Sequence, residues 1–285
     1  MSPSAATGSL KREAVRFLRL NRQVAAIGFA DALAYRGTFM LEIIFTFIPL
    51  VTSLLLWSAI YRAGGAGLAI AGFDLNQMLS YYIVMNILRL AAFVEDVQWT
   101  VTQQIKDGQL NAYLMRPVNY ILFQWDLRMA SVVFGTFLTL LPAAVLAVAA
   151  RHILVVPAAG WQWAAFGLSA FLGIQIGFLL SMAVGLSAFW VLETSAFQQA
   201  VFPIQMMLSG SMFPLELIPR KLFIVLKALP WTYQSYFPMQ VYLGRLDFRA
   251  TLAGLGVQVL WILALGGLCW LMWRNGVRKY GAVGG

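Results

Sequence analysis

Apolar residues in this chain gather into long runs separated by short polar breaks. The runs at about 39–61, 78–94, 130–150, 164–192, 197–213 and 252–273 each have the length and apolar content of a helix crossing a hydrocarbon core of about 30 Å, the fifth only with tilt. Before them, residues 10–36 follow another rhythm. Leu10, Ala14, Phe17, Leu18, Val24 and Ala25 recur at helical spacing, while Arg12, Arg16, Arg19 and Gln23 take the opposite face. That pattern predicts a basic amphipathic helix lying in the headgroup plane. The expected fold is therefore all-α and membrane-integral: one transmembrane domain, 1–285, with six spans.

Two breaks are unusual. The first follows the second run: Gln104-Ile105-Lys106-Asp107-Gly108-Gln109-Leu110-Asn111-Ala112-Tyr113-Leu114-Met115-Arg116-Pro117. The stretch Val94 to Lys106 reads as a continuation of the second helix into the cytoplasm, closed by Asp107 and Gly108, since glycine suits a left-handed helix cap. Leu110, Tyr113 and Leu114 then stand at i, i+3 and i+4, which predicts a short helix with one apolar stripe. Two helical turns are marginal alone in water. The stripe needs a groove, either on the protein's own spans or on a partner.

The second break covers 208–243. Ser209-Gly210-Ser211-Met212-Phe213-Pro214 ends the fifth run, and Pro219, Pro230 and Pro238 follow. Each proline removes a helix hydrogen bond, so no straight span fits. Irregular backbone at membrane depth needs cover from protein or a wet cavity, so the segment reads as a broken, partly re-entrant hairpin turning at Ser209, Gly210, Phe213 and Pro214. In the fourth run Gly173, Gly177 and Gly185 mark places where helix backbones can approach closely. Trp57 and Tyr61 read as interface anchors of the first span.

Composition supports the membrane reading. Of 285 residues, 61% are hydrophobic and only 11% charged, and the mean hydropathy is +0.76, whereas soluble domains run near 45–50% apolar and about 25% charged. The net charge of +9 then reflects cytoplasmic loops beside anionic lipid, not a nucleic-acid surface. Lys11, Arg12, Arg16, Arg19 and Arg22 near one end and Arg274, Arg278 and Lys279 near the other place both termini in the cytoplasm. No small-residue cleavage site follows the first run, so it does not read as a signal peptide.

Candidate chemistry is sparse. The single cysteine, Cys269, and single histidine, His152, allow neither an internal disulfide nor a His-pair metal motif. No Gly-x-x-x-x-Gly-Lys-[Ser/Thr] loop occurs, so the chain has no ATPase motif of its own. Arg89 lies inside the second run. It pairs with Glu95 or Asp96, snorkels, or meets an anionic substrate headgroup on a translocation pathway.

Three sequence features, in order along the spans, resemble one family. They are the insert with Leu-x-x-Tyr-Leu-x-Arg-Pro, the Ser-Gly-x-x-Phe-Pro-x-Glu-x-Ile-Pro segment, and the ending from Trp273-Arg274-Asn275-Gly276-Val277-Arg278-Lys279-Tyr280 to Gly285. Nearly the whole length is similar to permease subunits of bacterial type-2 ATP-binding-cassette transporters whose ATPase is a separate subunit. The resemblance implies that 10–36 is the elbow helix, 104–117 the coupling helix seated in a cleft of the ATPase, and 208–243 the external re-entrant segment. Leu110, Tyr113 and Leu114 would then be the packing contacts with the ATPase, and Lys106, Asp107 and Arg116 the polar ones, with Gly108 as a border. Lys106-Asp107 departs from the Arg-Glu or Glu-Glu pairs common in relatives. The implied assembly is a multi-pass efflux transporter of a bacterial cytoplasmic membrane. It has two ATPase subunits that bind ATP and Mg, a second permease copy or a homologous one, and no cofactor on this chain. The alternative from another class is a stand-alone secondary transporter or channel.

Overall fold

The computed structural model describes residues 36–65, 67–91, 95–115, 119–191 and 194–283. The expected elbow helix, Arg116 and Pro117 lie outside the described residues, apart from Arg36 at the elbow's end. The long helices are α1 (Arg36–Ala63), α2 (Leu75–Ala91), α3 (Glu95–Lys106), α5 (Tyr120–Ala149), α6 (Gly160–Leu186), α7 (Thr194–Leu208) and α11 (Phe248–Val283), with the one-turn α4 (Asn111–Leu114) between α3 and α5. Between α7 and α11 run three short helices, α8 (Arg220–Leu226), α9 (Pro230–Gln234) and α10 (Tyr236–Tyr242). Among the described residues only an isolated bridge between Ile70 and Phe73 has strand-type pairing.

Helix starts follow local chemistry. The Asp74 side chain accepts from Gln77 N at 2.7 Å while Gln77 Oε1 accepts from Asp74 N at 3.3 Å, a reciprocal box that satisfies two free amides at the start of α2. Asn119 accepts from Ile121 N and Leu122 N at the start of α5, and Asp247 from Ala250 N at the start of α11. Pro219 caps α8 and Pro230 opens α9, positions where the missing N–H costs nothing. The prolines thus split the segment into short helices.

Two helices among the described residues are long and apolar enough to cross a membrane: Gly160–Phe189 and Phe248–Tyr280, with mean hydropathy 1.8 and 2.0. Phe47–Ala63 is a shorter apolar helix. Half of the first window is buried but only 22% of the second, so α6 is the central post and α11 flanks it. Along α6, a Cβ on Gly173 would strike the Gln234 carbonyl and one on Gly177 would meet Gln234 Nε2 at 2.8 Å. These two glycines let α9 pack directly on the post. A third, Gly185, admits α3: a Cβ there would lie 2.8 Å from Val101 Cβ.

Tyr61, expected as an interface anchor, is buried among protein residues, and its hydroxyl donates at 2.7 Å to the Phe73 carbonyl, which also accepts from the Ile70 N–H. Cys269 is buried in the main core with its thiol donating to the Leu179 carbonyl.

Candidate functional site

The insert is built on α3. Val97, Val101 and Ile105, four residues apart, are buried on one face, joined by Gln98 and Thr102, while Trp99, Gln103 and Lys106 are exposed. The helix ends at Gly108 with φ 74°, a left-handed conformation open to glycine at little cost. Leu110 N then donates back to the Gln104 carbonyl at 3.0 Å. Residues 92–94, where this helix was expected to join α2, lie outside the described residues.

The stripe on α4 divides. Leu110 is fully buried in the core with Val101, Ile105 and Tyr120, which stabilises by roughly 1.5–3 kcal/mol. Leu110 therefore faces its own protein and acts as an anchor. Tyr113 is half-buried, its ring against Tyr120 at 5.5 Å and Phe123 at 5.4 Å. Leu114 is 41% exposed and Met115, a residue the sequence pattern does not single out, is 82% exposed. Lys106 and Asp107 are exposed beside them. Arg116 lies outside the described residues.

Gln104 ties the insert down. Its Oε1 accepts from the Tyr120 hydroxyl at 2.6 Å and from Gln124 Nε2 at 2.9 Å, and its Nε2 donates to the Tyr113 hydroxyl at 3.4 Å. Tyr120 in turn stacks on Trp273 of α11, with centroids 4.5 Å apart and planes 8° from parallel. Phe189 touches Trp273 and Tyr280 edge-on. The tip of the insert is thus continuous with the end of α11 through rings, which pack rigidly.

Arg89 stands elsewhere, on the wall of a small cleft of about 110 Å³ between α2, α3, α6, α7 and α9. Gln98, Ser181, Gln205 and Ser209 share that wall with Leu88, Ile174 and Phe202. Gln205 Nε2 is buried without a hydrogen-bond partner among the described residues. The structure therefore brings Arg89 together with Ser209, two residues far apart in sequence. The side chains of Glu95 and Asp96, the carboxylates expected near Arg89, lie outside those described.

The remaining turn residues hold the broken segment to α2. Gly210, at φ 73°, offers its carbonyl to the Tyr81 hydroxyl, and the Met212 carbonyl accepts from the Tyr82 hydroxyl at 3.3 Å. Pro214 is buried and Phe213 packs on the small core of Leu215, Ile218, Leu226 and Tyr236. Nearby, Glu216 accepts at one oxygen from the Tyr236 hydroxyl and Gln240 Nε2, each at 2.7 Å.

Among the described residues no group of three or more His, Cys, Asp or Glu could hold a metal ion. A family model described as "ABC-2 family transporter protein" matches residues 47–284. No curated protein matches the chain.

Proposed function

Because this chain belongs to the ABC-2 family of transporter proteins, we propose that it is the permease subunit of an ATP-driven exporter whose ATPase is a separate pair of subunits. In this reading it crosses a bacterial cytoplasmic membrane six times with both ends inside, and a second permease, a copy or a homologue, completes the complex. ATP and Mg sit on the partner ATPases. Export follows from the resemblance to exporter permeases.

The observation that carries the reading is the division within the insert. Leu114 and Met115 are offered outward while Leu110, Gln104 and the rings hold the same segment to α5 and α11. A partner gripping the tip pulls on α3 as a body. That helix also carries Gln98 on the wall of the Arg89 cleft, so a shift of α3 changes the cleft directly. We assign this cleft to the translocation pathway, with Arg89 as a contact for substrate. The switch requires the ATPase to bind one permease state more tightly than the other.

The test is Leu114→Asp with Met115→Asp in complexes reconstituted with the cognate ATPase. Removing an apolar docking tip of this kind should lower permease-stimulated ATP hydrolysis about tenfold or more. Unfolding temperature should be unchanged, because both side chains are exposed. Full stimulation by the variant would overturn the docking assignment. Substrate movement by the chain alone, along an ion gradient, would replace the reading with a secondary carrier.

A further inference from the structure

A second cleft lies in the broken segment, between α8, α9, α10 and the first turns of α11, and has about 490 Å³. Its polar wall carries Glu216, Lys227, Tyr236, Gln240 and Arg245. Glu216 has one oxygen engaged by Tyr236 and Gln240. Its other oxygen, Oε2, and Arg245 Nη1 are both buried and lack a hydrogen-bond partner among the described residues, so they do not satisfy one another. Leaving an acceptor of an ionised carboxylate and a donor of a guanidinium both desolvated is costly. The two atoms call for a ligand that donates at one point and accepts at another.

Charge narrows the choice. The Arg245 guanidinium lies over the Phe73 ring at 3.8 Å, and Lys227 reaches over Phe223 at 4.5 Å. Two cations and one anion on a single wall suit a group that pairs a negative centre with a positive one. The facing wall is aliphatic: Ala250, Ala253 and Val257, on one stripe of α11. Ala253 is also exposed, and next to it on the helix run the exposed apolar side chains Leu252, Leu260 and Leu263. The cleft thus opens sideways onto the helix face with the composition of a lipid-facing one.

We propose that this cleft binds a phospholipid with a primary-amine headgroup. The ammonium donates to Glu216 Oε2, the phosphodiester accepts from Arg245 and Lys227, and an acyl chain runs along α11 past Ala253. A quaternary ammonium has no N–H to give Glu216, and a glycerol headgroup has no positive charge to offer it. The proposal rests on α11 being a span but not on any ATPase partner, so its failure and that of the coupling reading are separable.

The experiment is native mass spectrometry of the full chain, purified in a neutral detergent and titrated with phosphatidylethanolamine, phosphatidylcholine or phosphatidylglycerol. Phosphatidylethanolamine should be held about tenfold more tightly than either, the worth of a hydrogen bond to a charged group. Glu216→Gln should abolish that preference. Lys227→Gln, an exposed change that leaves the fold alone, should weaken both zwitterionic lipids. Equal retention of the three lipids by the native chain overturns the proposal, as does a preference that survives Glu216→Gln, or binding indifferent to Lys227→Gln. Glycerophosphoethanolamine should not displace the lipid at equal concentration; if it does, the chain contact with α11 is wrong.

Discussion

The insert together with the helix α3 that carries it, residues 95–115, and the broken segment with its link to α11, residues 209–247, both interrupt an apolar chain, yet they dispose of their apolar residues differently. In the insert, anchor and tip are different residues: Leu110 and Gln104 hold inward while Leu114 and Met115 stay outside. In the broken segment all seven residues of α10, Tyr236–Tyr242, are buried, and the segment's hydrogen bonds run to its own members and to α2, α7 and α11. A segment with a free apolar tip on a fixed base can transmit a pull. A helix buried on every side, as α10 is, seals and positions, while α8 of the same segment leaves Leu222, Ile224 and Val225 exposed and the segment's unpaired polar atoms turn into a cleft. The contrast follows from the post between them: α6 meets the broken segment at Gly173 and Gly177 and the insert at Gly185.

The strongest attack on this comparison is at the post. Gly173→Ala should cost roughly 1–3 kcal/mol, the price of overpacking against backbone that has nowhere to move. Thermal unfolding in detergent would show it as a lower Tm. Gly167→Ala on the same helix, where nothing lies within 4 Å of an added Cβ, should leave stability unchanged or slightly higher. Equal Tm values for the two variants would mean that α9 is not seated on α6.

At the insert, Gln104→Leu strips the acceptor from the Tyr120 hydroxyl and the Gln124 amide, both buried. The expected loss is about 1–3 kcal/mol, with weaker permease-stimulated ATPase because the tip loses its base. Stimulation that survives a measurable loss of stability would separate the tip from the anchor. The smallest effect belongs to Tyr113→Phe. Its hydroxyl only receives a long 3.4 Å bond from Gln104, and the ring contacts remain, so a change within about 0.5–1 kcal/mol is expected. A loss as large as that of Gln104→Leu would show that the hydroxyl, not the ring, positions the tip.

Several parts of this picture are legible in the chain because they depend on neighbours. The four-residue spacing of Val97, Val101 and Ile105 marks one buried face, and Gly108 ends that helix where the backbone must turn left-handed. Pro219 and Pro230 open new helices where they were expected to break an old one. The stripe of Leu110, Tyr113 and Leu114 was legible as a face but not as a direction. Periodicity says which residues share a side, and only the packing of Tyr120 and α3 says which end of that side is covered. Met115 carried no such signal, since its exposure comes from where α4 stops. Tyr61 was legible as an aromatic residue at a helix end but not as a donor to the Phe73 carbonyl, twelve positions on, which it shares with the Ile70 N–H.

The sequence by itself determined that this protein is helical and made for a membrane, and where its helices break, because apolar content, proline and glycine act through the local backbone and through the cost of leaving it unpaired in lipid. The tertiary structure decided which glycines touch, that Arg89 and Ser209 share one cleft, and that Glu216 and Arg245 share another. Those outcomes depend on contacts such as Gln258 with the Ser169 carbonyl, 89 positions apart, and no local pattern encodes which distant backbone will arrive to satisfy a buried side chain.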